Sequence, residues 1–177
     1  KVPIFPFHKF PYSSNLLGPQ MRSVGEVLAL GSSFNEAFLK ALRSLELNLE
    51  IPSLTQLPEV PIQLSEEYIL NRLSNPQELS LLTALEALRL GVAKDKIFLA
   101  SKISPWFIEQ IDEICETEKM ILEKKNELLT NSQLFTQYKA LGFSDKFIAK
   151  ITGTLEKDIL SFRIKNKIFP VYKAVDT

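Results

Sequence analysis

One amphipathic segment, from Ser104 to Lys125, constrains the fold of this chain more than any other feature. Ser104 and Pro105 favour a helix start, because serine can cap the first turn and proline lacks only an N–H that has no helical partner there. Beyond them, apolar residues recur at three- and four-residue steps with charged residues between them; these are Phe107, Ile111, Ile114, Cys115, Ile121 and Leu122. The pattern predicts a long helix with one buried stripe. It is typical of a scaffold and indicates no active site.

The composition is that of an ordinary folded protein with balanced charge. Of the 177 residues, 45% are hydrophobic and 24% are charged, with 21 basic and 21 acidic side chains. There is therefore no overall field to attract nucleic acid or an anionic membrane, and no apolar run approaches the about 20 residues that span a bilayer. A single cysteine, Cys115, excludes an internal disulfide and fits a reducing cytoplasm. The start at Lys1, with neither Met nor a signal pattern, suggests a fragment of a longer chain.

The N-terminal residues predict strands followed by one helix. Prolines interrupt the first apolar residues, which suits an edge strand or an extended segment, and residues 24–30 predict a mostly buried strand. Ser33 and Glu36 have the spacing of a capping box at the start of a helix over about Phe34–Glu46. These few strands cannot close a core of their own, so we expect them to lean on another unit.

From residue 65 onward the sequence predicts helices almost to the end. Residues 47–64 contain three prolines without a clear period, which we interpret as a linker. The helices are expected at Glu66–Leu73, from Asn75–Pro76 to a stop at Gly91, at Lys94–Ser101, at Gln133–Leu141, at Asp145–Thr152 with Ser144 as cap, and at Leu155–Asn166 with Thr154 as cap. The predicted fold class is mainly α, a helical domain preceded by a short strand–helix arm.

Candidate metal and phosphate sites are few. His8 and Cys115 are the only histidine and cysteine, whereas a zinc or iron site needs three or four such ligands at short spacings. Gly25 and Gly31 lack the spacing of a phosphate-binding loop, and we interpret them as close packing and a turn. The sequence therefore indicates no catalytic, cofactor-binding or metal-binding residue.

The C-terminal helices raise an alternative function, DNA binding. The predicted helices at 145–152 and 155–166 imitate helix-turn-helix spacing, and residues 139–173 hold eight Lys or Arg against three Asp or Glu. However, the first turn of the second helix carries Glu156 and Asp158, which would repel phosphates.

The chain itself contains an acidic region that is complementary to these basic residues. Residues 105–127 carry seven acids against three bases. We therefore favour a protein partner or the neighbouring helix as the target of the basic face. A free-standing helix-turn-helix-like DNA-binding or adaptor protein stays the alternative.

Several short motifs follow one another along the chain in a characteristic order. They are Met21–Val27 leading into a helix with Lys40–Arg43, then Ile103–Phe107, Gly142–Asp145 and Pro170–Thr177. Together they closely resemble the large chain of carbamoyl phosphate synthetase. The matched part runs from the end of the first ATP-grasp unit, through the oligomerisation domain, to the entry of the second unit.

The resemblance implies a parent enzyme with a defined reaction. That parent is an ATP-dependent ligase, which makes carbamoyl phosphate from bicarbonate, glutamine-derived ammonia and two ATP for pyrimidine and arginine biosynthesis. The resemblance implies ATP and Mg (or Mn) as cofactors of the parent and none in this segment, to which no catalytic residue is carried over. The implied partners are further copies through the helical domain, the flanking ATP-grasp units and the glutaminase small subunit. Neither nucleic acid nor a membrane is implied.

The resemblance also divides the chain. Residues 1–50 would be the C-terminal tail of the first ATP-grasp (carboxyphosphate) unit, 51–64 a linker, 65–167 the helical oligomerisation domain and 168–177 the linker into the second unit. The chain would then be a non-catalytic spacer and oligomerisation fragment. We expect a detachable arm before the helical domain, an exposed proline-rich linker that proteases cut first, and at least a weak homodimer through a two-fold helical contact.

Two acidic residues lie in otherwise apolar segments. By the resemblance, the strand with Glu26 backs an ATP-binding sheet, so Glu26 either orients a basic group there or forms a structural ion pair, which we favour. Glu118 falls on the apolar stripe of the central helix, where a carboxylate needs solvent or a Lys or Arg partner. We expect a structural bridge at Glu118, because the sequence places no second titratable group beside it for acid–base chemistry.

Overall fold

The architecture is mainly helical, which confirms the predicted fold class. The computed structural model describes residues 1–5, 7, 12, 14–45, 47, 51–57, 60–75 and 77–174. Within these residues lie nine α-helices and one two-stranded antiparallel sheet. The elements are β1 (Val2–Ile4), β2 (Gly25–Val27), α1 (Phe34–Ser44), α2 (Glu66–Ser74), α3 (Ser80–Arg89), α4 (Lys94–Ser101), α5 (Pro105–Glu123), α6 (Lys125–Leu128), α7 (Ser132–Ala140), α8 (Asp145–Thr152) and α9 (Glu156–Lys165). None of these helices is long and apolar enough to span a bilayer.

Helix α5 is the centre of the fold, as its pattern predicts, and packs against α1, α3, α4 and α8. The buried residues of its stripe are Ile108, Ile111, Ile114, Cys115, Thr117 and Ile121. The predictions for Phe107 and Leu122 are wrong, since these side chains are 38% and 50% exposed. Each is adjacent in sequence to a buried isoleucine, and one residue turns a side chain about 100° around a helix of 3.6 residues per turn.

Helix α1 belongs to the same core as the later helices. Phe38, Leu39 and Leu42 are buried in one cluster with residues of α3 and α5. The Arg43 guanidinium donates a 2.7 Å hydrogen bond to the carbonyl oxygen of Gly142, in the turn after α7. The expectation of a detachable arm is therefore wrong for α1, because its apolar face is covered by the helical domain.

The sheet is small and exposed, and this corrects the prediction of a mostly buried strand at 24–30. β1 pairs antiparallel with β2, and Pro3 lies opposite Glu26. The apolar residues around β2 stay accessible to solvent, with exposed fractions of 70% for Val24, 62% for Leu28 and 59% for Leu30. Among the described residues these two three-residue strands pair only with each other, which is too little to bury both faces of a sheet.

The proline-rich segment before α2 packs on the helices instead of forming an exposed linker. A short 3-10 helix spans Leu54–Gln56. Leu54, Leu57 and Val60 are all buried in the main core. The aliphatic residues between the prolines, which a simple loop interpretation ignores, anchor this part of the chain.

Several helix ends follow their sequence signals. The Ser33 hydroxyl accepts a hydrogen bond from the Glu36 amide at 3.2 Å, and the Ser144 hydroxyl accepts one from the Phe147 amide at 3.0 Å. Glycines with positive φ end three helices as predicted; they are Gly91, Gly142 and Gly153.

The predicted start of α3 is wrong. The helix begins at Ser80, after Leu79 in the left-handed conformation with φ 61°. The Asn75 side chain instead donates to the carbonyl oxygen of Asn71 at 2.9 Å. It therefore serves the end of α2, and Pro76 lies outside the described residues.

Two other predicted caps make no side-chain hydrogen bond to their helix. Thr154 lies before α9, but its hydroxyl is 2.8 Å from the hydroxyl of Thr152, in the preceding helix. Ser104 holds the cap position of α5 without a side-chain hydrogen bond. Proline at the first position of α5 is confirmed.

Candidate functional site

Metal and thiol chemistry find little support in the described part of the chain. There, no group of three or more His, Cys, Asp and Glu side chains is placed to hold a metal ion, and His8 lies outside it. Cys115 is buried, with its Sγ donating weakly to the carbonyl oxygen of Leu85 at 3.7 Å. Burial raises the pKa of the Cys115 thiol to about 12, so the reactive thiolate is scarce at neutral pH.

The residues singled out around β2 have structural roles. The Lys1 ammonium lies 2.5 Å from a Glu26 carboxylate oxygen, and both side chains are more than half exposed. This confirms the favoured interpretation of Glu26 as a structural ion pair, at the edge of the sheet. A methyl group at Gly31 would lie 2.7 Å from the Ala37 amide nitrogen, so Gly31 packs closely against α1, whereas the prediction of close packing is wrong for Gly25, which has nothing within 4 Å of an added methyl.

A nearly buried charge cluster joins α3 to α5. Arg89 donates from Nε and Nη2 to the two Glu118 oxygens at 2.9 and 2.5 Å, and from Nη1 to Glu86 at 3.2 Å. The three side chains are at most 17% exposed. Burial alone would lower the pKa of Arg89, but the Glu118 hydrogen bonds and charge raise it overall. The predicted structural bridge at Glu118 is confirmed.

The same cluster fastens the proline-rich segment to the core. Arg89 Nη1 also donates to the Pro52 carbonyl oxygen at 2.7 Å. Glu86 accepts hydrogen bonds from the Ser53 hydroxyl at 3.0 Å and from the Leu54 amide at 3.2 Å. Sequence reasoning missed Arg89 and Glu86, although a glutamate and an arginine three residues apart inside an apolar helix are a usable signal.

The C-terminal helices use part of their charge internally. Asp145 accepts hydrogen bonds from Lys139 at 2.8 Å and from Arg163 at 2.7 Å. Burial lowers the pKa of Lys139, although the Asp145 carboxylate opposes the shift. Glu156 and Asp158 are exposed in the first turn of α9. Acids at the end that would enter a groove disfavour contact with DNA phosphates.

The acidic face of α5 pairs with α4. The Lys94 ammonium lies 2.7 Å from Asp112 and 2.6 Å from Glu109. The hydrogen bonds that Lys94 donates to Asp112 and then to Glu109 raise the pKa of Lys94. This part of the acidic surface is therefore matched by Lys94 of α4, which lies outside the basic region 139–173 that the sequence offered as its complement.

An aromatic face, consisting of Phe34, Trp106 and Phe107, is exposed where α1 meets the start of α5. The ring centroids are 5.6 Å apart for Phe34 and Trp106, 5.4 Å for Phe34 and Phe107, and 4.9 Å for Trp106 and Phe107. Trp106 is 55% exposed and Phe107 is 38% exposed. Side chains of this type dominate the centres of protein interfaces. The aromatic face is thus a candidate assembly site.

A second apolar surface covers α9 and the residues after it. Its exposed members are Leu155, Leu160, Ile164, Phe169, Val171 and Tyr172.

A pocket of about 210 Å³ lies between β1, α1 and the start of α3, and its lining is mostly apolar. Exposed apolar areas of this kind mark contacts with other proteins more often than reaction centres.

Comparison with known proteins identifies one family. A model of the carbamoyl-phosphate synthetase large chain, oligomerisation domain, matches residues 26–167. The whole chain is 39% identical to the carbamoyl phosphate synthase large chain, N-terminal section, of Aquifex aeolicus, covering 30% of that protein. It is 40% identical to the large chain of Deinococcus radiodurans, covering 16%. It is 37% identical to the chloroplastic arginine-specific large chain of Arabidopsis thaliana, covering 15%. The chain thus spans less than a third of each of these relatives.

Proposed function

The chain belongs to the family of the carbamoyl-phosphate synthetase large chain, oligomerisation domain, and from this premise we propose that it is the spacer and assembly segment of a longer large chain. The observation that carries the proposal is the extent of the match. Residues 26–167 include all nine described helices and the last two residues of β2, and those helices share one apolar core. A segment with this structure holds other units at a fixed separation and offers its outer surfaces for contact.

The proposal extends to the parent protein. The parent is a glutamine-hydrolysing ligase that forms carbamoyl phosphate from bicarbonate, ammonia and ATP in the cytoplasm, with ATP and Mg (or Mn) bound in the flanking ATP-grasp units. Residues 1–50 are the tail of the first unit, 51–64 the connection, 65–167 the oligomerisation domain and 168–177 the entry to the second unit. The shared core of α1 with the later helices makes the first of these junctions rigid.

An activity measurement tests whether this segment is non-catalytic. The 177-residue chain is incubated with ATP, Mg²⁺ and bicarbonate, and phosphate release is measured. We expect background rates, because the nucleotide-binding parts belong to the flanking units. The longer polypeptide, supplied with glutamine, is the positive control and should form carbamoyl phosphate. Clear turnover by the short chain alone would overturn the spacer role.

Self-association is the second part of the proposal. The family description supports it, and so does the apolar area exposed on the described helices. Sedimentation equilibrium over a wide concentration range should give a mean mass that rises above that of one chain, through a two-fold contact of the helical domain. A strictly monomeric mass at the highest concentration, in both the short chain and the longer polypeptide, contradicts the assembly role. DNA binding is not favoured by the family match or by the acidic first turn of α9.

A further inference from the structure

We propose that the aromatic face of Phe34, Trp106 and Phe107 is the docking site for another folded unit of the same polypeptide, and not for a second copy. This inference rests on the proposed function, in which the chain is one segment of a longer large chain. The partner surface offers aliphatic or aromatic side chains, since it must replace water over three rings.

The aromatic face is organised before any partner arrives. Phe34 stacks on Phe38 with centroids 5.6 Å apart and an interplanar angle of 10°, and Phe38 is buried in the core. Trp106 and Phe107 follow Pro105 in the first turn of α5. Rings held by a core residue and by a rigid helix start lose little conformational freedom on binding, which favours affinity from a small contact.

Exposed apolar residues also surround β2. Leu30 is 59% exposed and its carbonyl oxygen accepts a 3.1 Å hydrogen bond from Lys40 of α1. Val24 and Leu28, on either side of β2, are also exposed. Strands with apolar residues at successive positions are usually covered on both faces. The residues around β2 are therefore a second exposed apolar surface of the same segment.

The small area of the aromatic face favours a tethered unit of the same polypeptide over a second copy as its partner. Stable association of free partners buries about 800 Å² on each side. A whole aromatic side chain contributes only about 150–250 Å², and these rings are already partly buried. The face is too small to hold a free second copy. A tethered unit acts at an effective concentration of about millimolar for a short connection, so a small contact suffices.

The relatives contain enough additional sequence to form such a unit. The whole of this chain matches 15–16% of the large chains of Arabidopsis thaliana and Deinococcus radiodurans. Most of each relative therefore lies outside the matched region. The proposed neighbour is the rest of the first ATP-grasp unit, because residues 1–50, assigned above to its tail, lead through β2 and α1 to Phe34 of the aromatic face.

Hydroxyl-radical footprinting of the longer polypeptide, read by mass spectrometry, tests the inference. Trp106 is the only tryptophan of the 177 residues, and Phe135, fully buried in α7, is an internal reference for protection. We expect modification of Trp106 and Phe107 to fall to the level of Phe135 at every protein concentration. Modification as fast as in the 177-residue chain alone, where Trp106 is 55% exposed, would overturn the proposal. So would protection that appears only as concentration rises, since that behaviour belongs to a second copy.

A pair of variants gives an independent readout. Trp106→Ala should increase the rate at which protease separates the first ATP-grasp unit from this segment, while the helical circular dichroism stays unchanged. Leu99→Ala is the matched control, because Leu99 is 62% exposed on α4. Equal cleavage rates in the two variants would contradict the docking role of Trp106.

The outcome is separable from that of the proposed function. Protection of Trp106 in a polypeptide that forms no carbamoyl phosphate keeps the docking inference and removes the proposed activity. Carbamoyl phosphate synthesis by a polypeptide in which Trp106 is unprotected keeps the proposed activity and removes the docking inference.

Discussion

Replacing Gly142 by alanine adds one methyl group at the contact between α1 and the turn after α7. Gly142 has φ +97°, and its new Cβ would lie 2.8 Å from Glu36 Cα and 3.3 Å from the Glu36 carbonyl oxygen. Both are backbone atoms of α1, so no side-chain rotation can relieve the overlap. The turn or the helix has to move.

The expected loss of stability has two parts. A non-glycine residue in the left-handed region costs about 1–2 kcal/mol, and overpacking of a tight contact costs about 1–3 kcal/mol more. Gly142→Ala should therefore lower the free energy of unfolding by about 2–5 kcal/mol. Gly91→Ala and Gly153→Ala are matched controls. Their φ values are +79° and +72° with nothing within 4 Å of the added methyl, so they should show the first part only.

Urea denaturation measures the difference between these variants. Far-UV circular dichroism follows the helices, and the fluorescence of Trp106, which contacts Phe34 of α1, follows the junction. We expect the two signals to change together in the natural sequence, as they do in a single cooperative unit. Equal losses in all three glycine variants, with the fluorescence changing first, would refute the docking of α1 and restore the detachable arm.

Three further predictions concern named side chains. Glu118→Ala should cost about 3 kcal/mol, the lower end of the range for a broken buried pair, because Arg89 loses its two-oxygen partner but keeps Glu86. The exposed Glu116→Ala should change the free energy of unfolding by only about 0–1 kcal/mol, and urea denaturation of both variants decides this. Ile114→Ala should cost about 2–5 kcal/mol as a core truncation, and a loss no larger than that of the same change at the half-exposed Leu122 would contradict its burial. A hydrogen bond from Lys40 holds the pKa of Glu36 below its usual 4.5. The Glu36 carboxylate therefore stabilises the folded chain at pH values above 4.5. This stabilisation is lost as the pH falls through the lowered pKa of the folded chain. Glu36→Gln should accordingly reduce stability at neutral pH and make no difference in strong acid, as denaturation curves at the two pH values will show.

The sequence was most informative where a local signal and the core agreed. The bounds of α8 and the glycine stops were predictable, because the Ser144 cap and the left-handed turns depend on neighbouring residues. The stripe of α5 was predictable at Ile111, Ile114 and Ile121, because residues three and four apart share one face of a helix. Periodicity alone cannot resolve which flank of a stripe receives a neighbouring helix, and Phe107 and Leu122 lie on the flanks.

Tertiary contacts produced the remaining errors. Asn75 carries a strong helix-start signal, yet its side chain is engaged by the helix before it. The segment around Leu54 shows no sequence period that would predict its burial. It is held in place by hydrogen bonds to Arg89 and Glu86 of α3, which lie far away in the sequence. The aromatic face was missed as a candidate site since Phe34 and Trp106 are distant in sequence, and only the packing of α1 on α5 brings them together.

The packing of α1 also decides which part of the chain can fold independently. Phe38, Leu39 and Leu42 are each at most 7% exposed. Burying one such side chain contributes about 1.5–3 kcal/mol, so three contribute about 5–9 kcal/mol. That is comparable with the about 5–15 kcal/mol that stabilises a whole domain.

A chain that begins at Pro52 should therefore fail to unfold cooperatively, although it retains the predicted oligomerisation domain in full. A chain that begins at Glu26, where the family match starts, retains α1 and should show one steep transition in urea. Circular dichroism of the two truncated chains makes the comparison. Only the longer one is suitable for locating the self-association surface, because exposed core residues would make the shorter one aggregate non-specifically. A steep transition in the chain from Pro52 would instead show that α3 and α5 close their core without α1, and would return residues 1–50 to the role of a separate arm.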